Sequence, residues 1–229
     1  MNFKKCIVNK VIMLRIGGKA IRGIKGSRNA ICENFRNIDV TSGSRAKIGK
    51  WSGRDFSPLV GNLKVFDDGR EFQQFENWWQ GNKVYGHMGH VKKRGKKYVL
   101  TDEFEKFQDK WAKQTKGKRV IPETKHNGKR QRPLFAVYNG KRYGYIDARW
   151  IYTSKYCEVV KQLPVFWELL DQIKSGDNIM LIDHDGPPSV DYPNGLSVTW
   201  DMLTEKLNDK SLPYGHGYIL AAMLLSELD

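Results

Sequence analysis

The chain has 229 residues and a formal net charge of +14, from 39 Lys and Arg against 25 Asp and Glu. Aromatic residues make up 12% of it, which excludes a disordered chain, and no apolar run reaches the roughly 20 residues of a membrane-spanning helix. The cysteines, Cys6, Cys32 and Cys157, offer neither an even disulfide framework nor a CxxC pair. We therefore expect a globular protein of a reducing cytoplasm, without membrane association, metal or other cofactor.

The positive charge is concentrated in two regions. Residues 1–50 carry 12 Lys and Arg against 2 acids, and residues 86–133 carry 15 against 5. Residues 151–229 are acidic, with 12 acids against 5 lysines. A single basic run is most simply a solvated surface. Two such regions favour a polyanionic partner, because clustered Lys and Arg attract phosphate backbones and release their counterions.

The first 85 residues contain one predicted helix. Residues 1–50 show no lasting helical period and are punctuated by glycines, which predicts short strands and turns. A helix is predicted from about Glu71 to Val84. Phe72, Phe75 and Trp79 recur at i, i+3 and i+7, so we expect them to form its buried stripe.

This helix also carries a polar stripe. Glu76, Gln80 and Lys83 stand at i, i+4 and i+7, so a carboxylate, an amide and an amine share one side. Trp78 and Trp79 are adjacent and cannot both face one narrow core. One is expected to be buried, and the other could stack on a ring of a ligand. The alternative is that both tryptophans are core residues and Glu76 is a surface charge.

The middle of the chain is basic. Residues 86–98 are predicted as a loop containing Gly and His, and residues 115–133 as an exposed lysine-rich connection. Between them a helix is predicted from about Asp102 to Gln114. Its apolar stripe consists of Phe104, Phe107 and Trp111.

Strands and helices alternate after this connection. Strands are predicted at Leu134–Tyr138 and Arg142–Ile146, because Asn139-Gly140 between them is a strong hairpin signal. The pattern from Ser154 to Lys174 is helical, and Pro164 either divides it or begins a second helix. Further helices are predicted from about Thr199 to Leu207 and from about Gly217 to the end of the chain.

Two segments of the last third could carry chemistry. A predicted buried strand, Ile179–Ile182, ends at Asp183-His184-Asp185, and strand ends that open into loops often hold catalytic carboxylates. A magnesium site and a capped loop are the alternatives. The segment Asn208–Gly217 has glycines at 215 and 217 and precedes a helix, so its backbone amides could hold phosphate. An ordinary glycine-rich helix start is the alternative there.

Together and in this order, these features resemble the NADAR family of N-glycosidases. The resemblance lies in Phe75-Glu76-Asn77-Trp78-Trp79-Gln80-Gly81-Asn82-Lys83-Val84-Tyr85, in the Phe56, Ser57 and Asn62 loop before it, and in the two later segments. It covers about residues 52–85 and 150–228. Tyr214-Gly215-His216-Gly217 stands where the family has Trp-Gly-x-Gly. The basic N-terminal region and the 90–135 stretch have no counterpart in the family.

The resemblance implies an α+β fold, mainly helical, with a small β component. It implies one catalytic domain at residues 51–229 with a basic insertion at about 90–133. Residues 1–50 are then expected to be a basic strand-and-turn region packed on the core of that domain. We expect a monomer.

The resemblance also implies cleavage of an N-glycosidic bond. Some NADAR-like proteins act on a riboflavin-pathway intermediate, and others remove ADP-ribose from guanine in DNA, which reverses a DarT-type toxin; some phages carry them against this defence. The expected catalytic residues are Glu76, with Asp183 or Asp185. ADP-ribose binding is expected from Ser57, Asn62, Trp78, Trp79, Gln80, Lys83, Asp209, Tyr214, Gly215, His216 and Gly217. DNA binding is expected from Lys92, Lys93, Arg94, Lys96 and Lys97.

The basic regions favour the DNA branch of this family, because a small metabolite needs no such electric field. The expected partner is therefore ADP-ribosylated DNA, in the cytoplasm of a phage-infected bacterial host. Two alternatives are a non-catalytic nucleic-acid-binding phage accessory protein and a metabolic N-glycosidase of the riboflavin-intermediate type. The first predicts no turnover, and the second predicts turnover that salt hardly changes.

Overall fold

The computed structural model describes residues 13–20, 28–59, 63–114, 125–126, 129–211 and 213–228. The helices in these ranges are α1 (Phe75–Gly81), α2 (Asp102–Ala112), α3 (Tyr145–Val160), α4 (Pro164–Lys174), α5 (Trp200–Asn208) and α6 (His216–Ser226). The strands are β1 (Leu14–Gly18), β2 (Arg36–Asp39), β3 (Lys47–Ile48), β4 (Trp51–Ser52), β5 (Val65–Asp67), β6 (Arg70–Phe72), β7 (Lys83–Val84), β8 (Val91–Arg94), β9 (Lys97–Leu100), β10 (Lys125–His126), β11 (Lys129–Arg130), β12 (Phe135–Tyr138), β13 (Lys141–Tyr143), β14 (Ile179–Asp183) and β15 (Leu196–Ser197). Of the described residues, helix makes up 38% and strand 24%, so the fold is mixed α+β, and the expected helical predominance is not confirmed.

The main sheet has the strand order β15-β1-β14-β2. β1 and β2 both run parallel to β14, whereas β15 is antiparallel to β1. Gly18 pairs with Asp183, and Ile182 pairs with Asp39, so the three parallel strands end at one edge of the sheet. Open sheets with parallel strands bind ligands outside this carboxyl edge. The topology therefore places Asp183 where a ligand site is expected.

Burial on both faces explains why β14 is an unbroken apolar run. All five of its residues are buried, and α6 packs on both β14 and β1. α6 itself is apolar around most of its circumference, because it lies between this sheet and α3. Tyr156 of α3 adds a buried hydrogen bond of 2.5 Å from its hydroxyl to the carbonyl oxygen of Phe56. That bond holds α3 against the turn that leads toward α1.

α1 and α2 form a second packed unit beside this sheet. They cross closely at Gly81, where an added Cβ would lie 2.9 Å from the Cβ of Trp111. Beyond α1, β7 joins β12 and β13 in a three-stranded antiparallel sheet. The hairpin predicted at Asn139-Gly140 is confirmed, since both residues have positive φ, 47° and 67°.

The structure corrects several predicted boundaries. The helix expected from Glu71 to Val84 is limited to α1, because Arg70–Phe72 pairs with β5 and Lys83–Val84 pairs with β12. Tertiary strand pairing here overrides the local helical period. α3 begins at Tyr145, nine residues before the predicted Ser154, and therefore shortens the strand expected at 142–146.

Other predicted elements are confirmed. α2, α5 and α6 lie where they were expected, and α4 begins with Pro164 as its first residue. The expected loop at 86–98 instead contains a hairpin, β8–β9, with Gly95 in the turn at φ 61°. None of the helices in the described ranges combines the length and the apolar character needed to cross a bilayer.

Candidate active site

A cleft of about 1180 Å³ opens at the carboxyl edge of the main sheet. It brings together segments that lie far apart in the chain: the start of α1, the end of β14, the 131–136 stretch, the first turns of α3 and the loop before α6. Acidic side chains from α1 and β14 line one part of it, Glu76, Asp183 and Asp185. We call these three residues the acid cluster.

The three acids of this cluster line the same cleft, and their charges also affect one another. Burial, and then the neighbouring Asp183, raise the pKa of Asp185 above its usual range, and Glu76 adds to the rise. Tyr152 is close enough to all three acids for their charges to affect it. Burial of Tyr152, and then the charges of the acids, hold the pKa of the Tyr152 hydroxyl well above its ordinary value. The structure thus brings Glu76 to the two aspartates that follow it by more than a hundred residues.

Asp183 is held in place by the backbone around it. The amide of Gly217 donates to its Oδ2 at 2.8 Å, and the amide of His184 donates to its Oδ1 at 2.7 Å. The Asp183 side chain is almost fully buried. Because backbone donors fix both oxygens, the orientation of this carboxylate is preset.

His216 completes the surroundings of Asp183. Its Nε2 lies 2.9 Å from the carbonyl oxygen of Val40, and its Nδ1 lies 3.4 Å from Asp183 Oδ2. A carbonyl oxygen only accepts, so Nε2 must carry a hydrogen. His216 thus links the backbone of Val40 to the Asp183 carboxylate.

The polar stripe predicted on the double-tryptophan helix is present in part: Glu76 and Gln80 lie on α1, whereas Lys83 lies on β7 beyond its end. Gln80 Nε2 donates to Glu76 Oε1 at 2.7 Å, and Lys83 Nζ donates to Gln80 Oε1 at 3.1 Å. The Lys83 ammonium also lies 4.5 Å from the centre of the Trp79 ring. All four side chains line the cleft. The hydrogen-bond chain orients the Glu76 carboxylate toward the space that it shares with Asp185.

The two adjacent tryptophans divide as expected, with one in the core and one at the cleft. Trp78 is the core residue; it is 1% exposed, and its Nε1 donates to Asp67 Oδ2 at 2.5 Å. Trp79, which the predicted apolar stripe placed in the core, lines the cleft and meets the Tyr152 ring edge-on. Trp78 therefore lies outside the cleft. Phe72, which the predicted stripe included, lies on β6 and not on the helix, and the buried face of α1 instead contains Phe75, Trp78 and Gly81.

Other predicted ligand-binding residues have mixed positions. Ser57 is buried at the cleft wall, and Tyr214 lines the cleft with its ring stacked on Tyr218. Asp209 does not line the cleft; its carboxylate caps its own loop by accepting from the amide and the hydroxyl of Ser211. Asn62 lies outside the described residues.

The glycines before α6 have a different role from the one expected. We predicted that the 215–217 amides would hold a phosphate, but the Gly217 amide holds Asp183. An added Cβ at Gly215 would lie 2.7 Å from Asp185 Oδ2 and 2.8 Å from Asp183 Oδ2. The amino end of α6 is thus occupied by the carboxylates of the chain itself, which would repel a second anion.

The predicted DNA-binding lysines lie on the exposed β8–β9 hairpin and not in the cleft. Their side chains are solvent-exposed, namely those of Lys92, Lys93, Arg94, Lys96 and Lys97. Opposite residues of the two strands share a face of the hairpin. Lys92, Arg94 and Lys97 therefore lie on one face, and Lys93 lies beside Tyr98 on the other.

Sequence reasoning missed several residues of the cleft. Arg149 is buried; its guanidinium donates to the carbonyl oxygen of Asp209 at 2.6 Å and to the Tyr145 hydroxyl at 2.7 Å. At the sheet edge, Lys19 Nζ lies 2.5 Å from Asp39 Oδ2, next to Thr41 of the cleft wall. Burial of Asp39 raises its pKa, but hydrogen bonds from Lys19 and Thr41 outweigh burial, so the pKa of Asp39 is lowered. Arg149 could have been found from the sequence, because it is a cation within the apolar pattern of a helix. No local pattern distinguishes Lys19 from the other lysines of the chain.

Among the described residues, no cluster of three or more His, Cys, Asp or Glu has the arrangement of a metal site. In comparisons with known proteins, no family model, no curated protein and no solved structure matches this chain.

Proposed function

We propose that the protein is an N-glycosidase of the NADAR type that removes ADP-ribose from guanine bases in DNA. The observation that carries the proposal is the meeting of Glu76, from α1, with Asp183 and Asp185, from the end of β14, in one cleft. Paired carboxyl groups are what hydrolysis of a glycosidic bond requires, because the sugar carbon becomes oxocarbenium-like in the transition state.

In this proposal the acids have different tasks. Burial and Asp183 raise the pKa of Asp185, so Asp185 is suited to exchange a proton with the leaving base or with water. Glu76, oriented by Gln80, stabilises the positive charge that develops at the ribose carbon. The bond from that carbon to the guanine nitrogen breaks, a water oxygen bonds to the carbon, and the water's proton replaces the sugar on the base.

Asp183 supports this chemistry from a fixed position. The amides of Gly217 and His184 hold both oxygens of the Asp183 carboxylate. From this fixed position the charge of Asp183 raises the pKa of Asp185. The neighbouring His216 places its Nδ1 3.4 Å from the Asp183 carboxylate. Two acids with different surroundings are the arrangement by which one site supplies both a proton donor and a charge-stabilising group.

The walls of the cleft suit a nucleotide. Trp79 and Tyr214 offer aromatic surfaces on which a base can stack. The target guanine has to leave its stack to reach the acid cluster. The exposed cations of the β8–β9 hairpin supply sequence-independent attraction for DNA, as a repair enzyme for a DarT-type modification needs.

The test is an oligonucleotide that carries one ADP-ribosyl-guanine, with released ADP-ribose measured by chromatography and mass spectrometry. We expect release by wild type and a loss of about 10²- to 10⁴-fold in Glu76→Gln and in Asp185→Asn. Glu71→Gln is the matched control, because Glu71 is an exposed carboxylate on β6 outside the cleft. No release by wild type, or full activity of Glu76→Gln, would overturn the proposal. Salt-dependent DNA binding without turnover would support a non-catalytic binding protein instead.

A further inference from the structure

The opening of the cleft carries positive charge, whereas its acid cluster carries acidic groups. Four exposed side chains form the part of the mouth that we call the basic–aromatic rim, Arg132, Leu134, Tyr145 and Lys210. Arg142 lies next to it, with its guanidinium 4.9 Å from the centre of the Phe135 ring, which also lines the cleft. One cleft thus carries the acid cluster inside, together with Lys83 and the buried Arg149, and further cations at its opening.

The rim cations are not used to neutralise acids of the chain. Over the ranges that the structure describes, neither Arg132 nor Lys210 takes part in an ion pair. Both are exposed, so their fields extend into solvent at the opening of the cleft. Cations at the opening of a concave site raise the local concentration of an anionic ligand.

The acid cluster decides how an anionic substrate lies in the cleft. Phosphates are repelled by Glu76, Asp183 and Asp185, and the amino end of α6 is already occupied by Asp183. Like charges at a binding surface disfavour the wrong orientation. A strand that flanks the nucleotide in the cleft therefore keeps its backbone phosphates at the rim, away from the acid cluster.

The aromatic part of the rim is both exposed and fixed. Tyr145 is 53% exposed, although the Arg149 guanidinium lies 4.6 Å from its ring centre and donates to its hydroxyl at 2.7 Å. Leu134 is 45% exposed on the same rim. An aromatic ring held on one side by a buried arginine and open on the other is a preformed platform for an unstacked base.

We infer that the basic–aromatic rim binds the phosphate backbone and one unstacked base of a single-stranded nucleic-acid segment flanking the nucleotide in the cleft. The inference rests on the proposed function for the identity of that nucleotide. It rests on the rim residues alone for the binding of the strand. Single-stranded binding sites combine such cations with stacking aromatic rings, whereas a duplex keeps its bases stacked inside.

Binding is tested with a fluorescently labelled, unmodified single-stranded oligonucleotide and anisotropy at several salt concentrations. We expect Arg132→Ala/Lys210→Ala to weaken binding and to reduce the slope of log K against log salt by about 1.4, from two lost phosphate contacts. Tyr145→Ala should weaken binding at all salt concentrations by about tenfold, whereas Tyr145→Phe, which keeps the ring, should bind nearly as wild type does. An unlabelled single strand should compete better than an equal length of duplex.

The matched control is Lys50→Ala/Lys174→Ala, which removes two exposed cations outside the cleft. An unchanged slope in the rim variant, an equal slope change in the control, or a preference for duplex overturns the inference. A kinetic arm compares an ADP-ribosylated oligonucleotide with ADP-ribosyl-guanosine, which has the diphosphate but no DNA backbone. The Arg132→Ala/Lys210→Ala variant should lose about tenfold in kcat/KM on the oligonucleotide. Its kcat/KM on ADP-ribosyl-guanosine should stay at the wild-type value.

An equal loss on both substrates would mean that the rim holds the diphosphate, and it would overturn the inference. If wild type cleaves neither substrate, the proposed function fails. In that case the anisotropy measurements still test whether the basic–aromatic rim binds a single strand.

Discussion

The backbone amide of Gly217 donates a hydrogen bond of 2.8 Å to Oδ2 of Asp183, so the amino end of the last helix holds a carboxylate of the sheet edge. The two elements approach closely there. A Cβ added at Gly217 would lie 2.7 Å from the Cβ of Asp183, and one added at Gly215 would lie 2.7 Å from the Cβ of Asp185. The position of both aspartates in the cleft therefore depends on glycine at these two positions.

The first prediction concerns this contact. Gly217→Ala is expected to lower turnover at least tenfold and to destabilise the fold by about 1–3 kcal/mol, because the methyl group displaces Asp183. Alanine favours a helix more than glycine does, so the loss would have to come from the contact. Turnover of the ADP-ribosylated oligonucleotide and urea denaturation measure it. Gly43→Ala, where an added Cβ meets nothing within 4 Å, is the control and should behave as wild type does.

The second prediction concerns the pH dependence of stability. Burial and Asp183 raise the folded-state pKa of Asp185, so its ionised form is disfavoured in the fold. The stability from its protonated form is fully present below the unfolded value of 3.8 and is lost as pH rises through the folded pKa. Asp185→Asn should therefore melt at a higher temperature than wild type at pH 7, with a smaller difference near pH 4. The exposed Asp191→Asn should show no such trend; a pH-independent difference for Asp185→Asn would contradict the assignment.

The third prediction separates the two adjacent tryptophans. Trp79→Ala is expected to raise KM between about 5-fold and 100-fold, the range for loss of one stacking ring, with little change in kcat. Trp78→Ala should instead cost about 3–5 kcal/mol of stability, because Trp78 is fully buried. Steady-state kinetics and thermal denaturation of both variants distinguish these outcomes. A normal KM for Trp79→Ala would remove the stacking role.

The fourth prediction concerns Arg149. Its guanidinium donates to the carbonyl oxygens of Lys206, Leu207 and Asp209 at 3.4, 3.2 and 2.6 Å, at the carboxyl end of α5. Arg149→Met is expected to cost about 1–3 kcal/mol, because buried carbonyls lose their donor, and to loosen the loop before α6. Limited proteolysis should then cut near residues 209–214 at a higher rate. The half-buried Lys155→Met on the same helix is the comparison; equal cleavage rates in the two variants would contradict the role of Arg149 in that loop.

The fifth prediction tests the β8–β9 hairpin. Replacing Lys92, Arg94 and Lys97, which share one face, by Gln should reduce the salt slope of single-strand binding by about 2, at about 0.7 per phosphate contact. Hydrolysis of ADP-ribosyl-guanosine should not change, because the hairpin lies outside the cleft. An unchanged slope would identify this hairpin as a solvated surface. A protein whose turnover on oligonucleotides ignores salt would instead match the metabolic N-glycosidase alternative.

Features that depend on neighbours along the chain were predictable from the amino-acid sequence. The period of Phe104, Phe107 and Trp111 determined α2, Pro164 determined the start of α4, and Asn139-Gly140 determined the hairpin. The pairing of Glu76 with Gln80 was equally predictable, since the pitch of the helix sets it, whereas Lys83 reaches Gln80 from β7. The adjacent tryptophans also implied that one of the two lies away from the core.

Which distant groups meet depends on how the elements pack, and local patterns of the sequence did not predict it. The parallel register of β1, β14 and β2 puts Asp183 at the edge that α1 reaches, and no local pattern encodes that register. The Gly217 amide is taken by Asp183 and not left for phosphate because packing of α6 on the sheet brings the two together. Arg149 acquires its role from the carbonyls at the end of α5, more than fifty residues away. Such contacts follow from how separate elements pack, whereas the sequence specifies each element mainly through its own turn, period and caps.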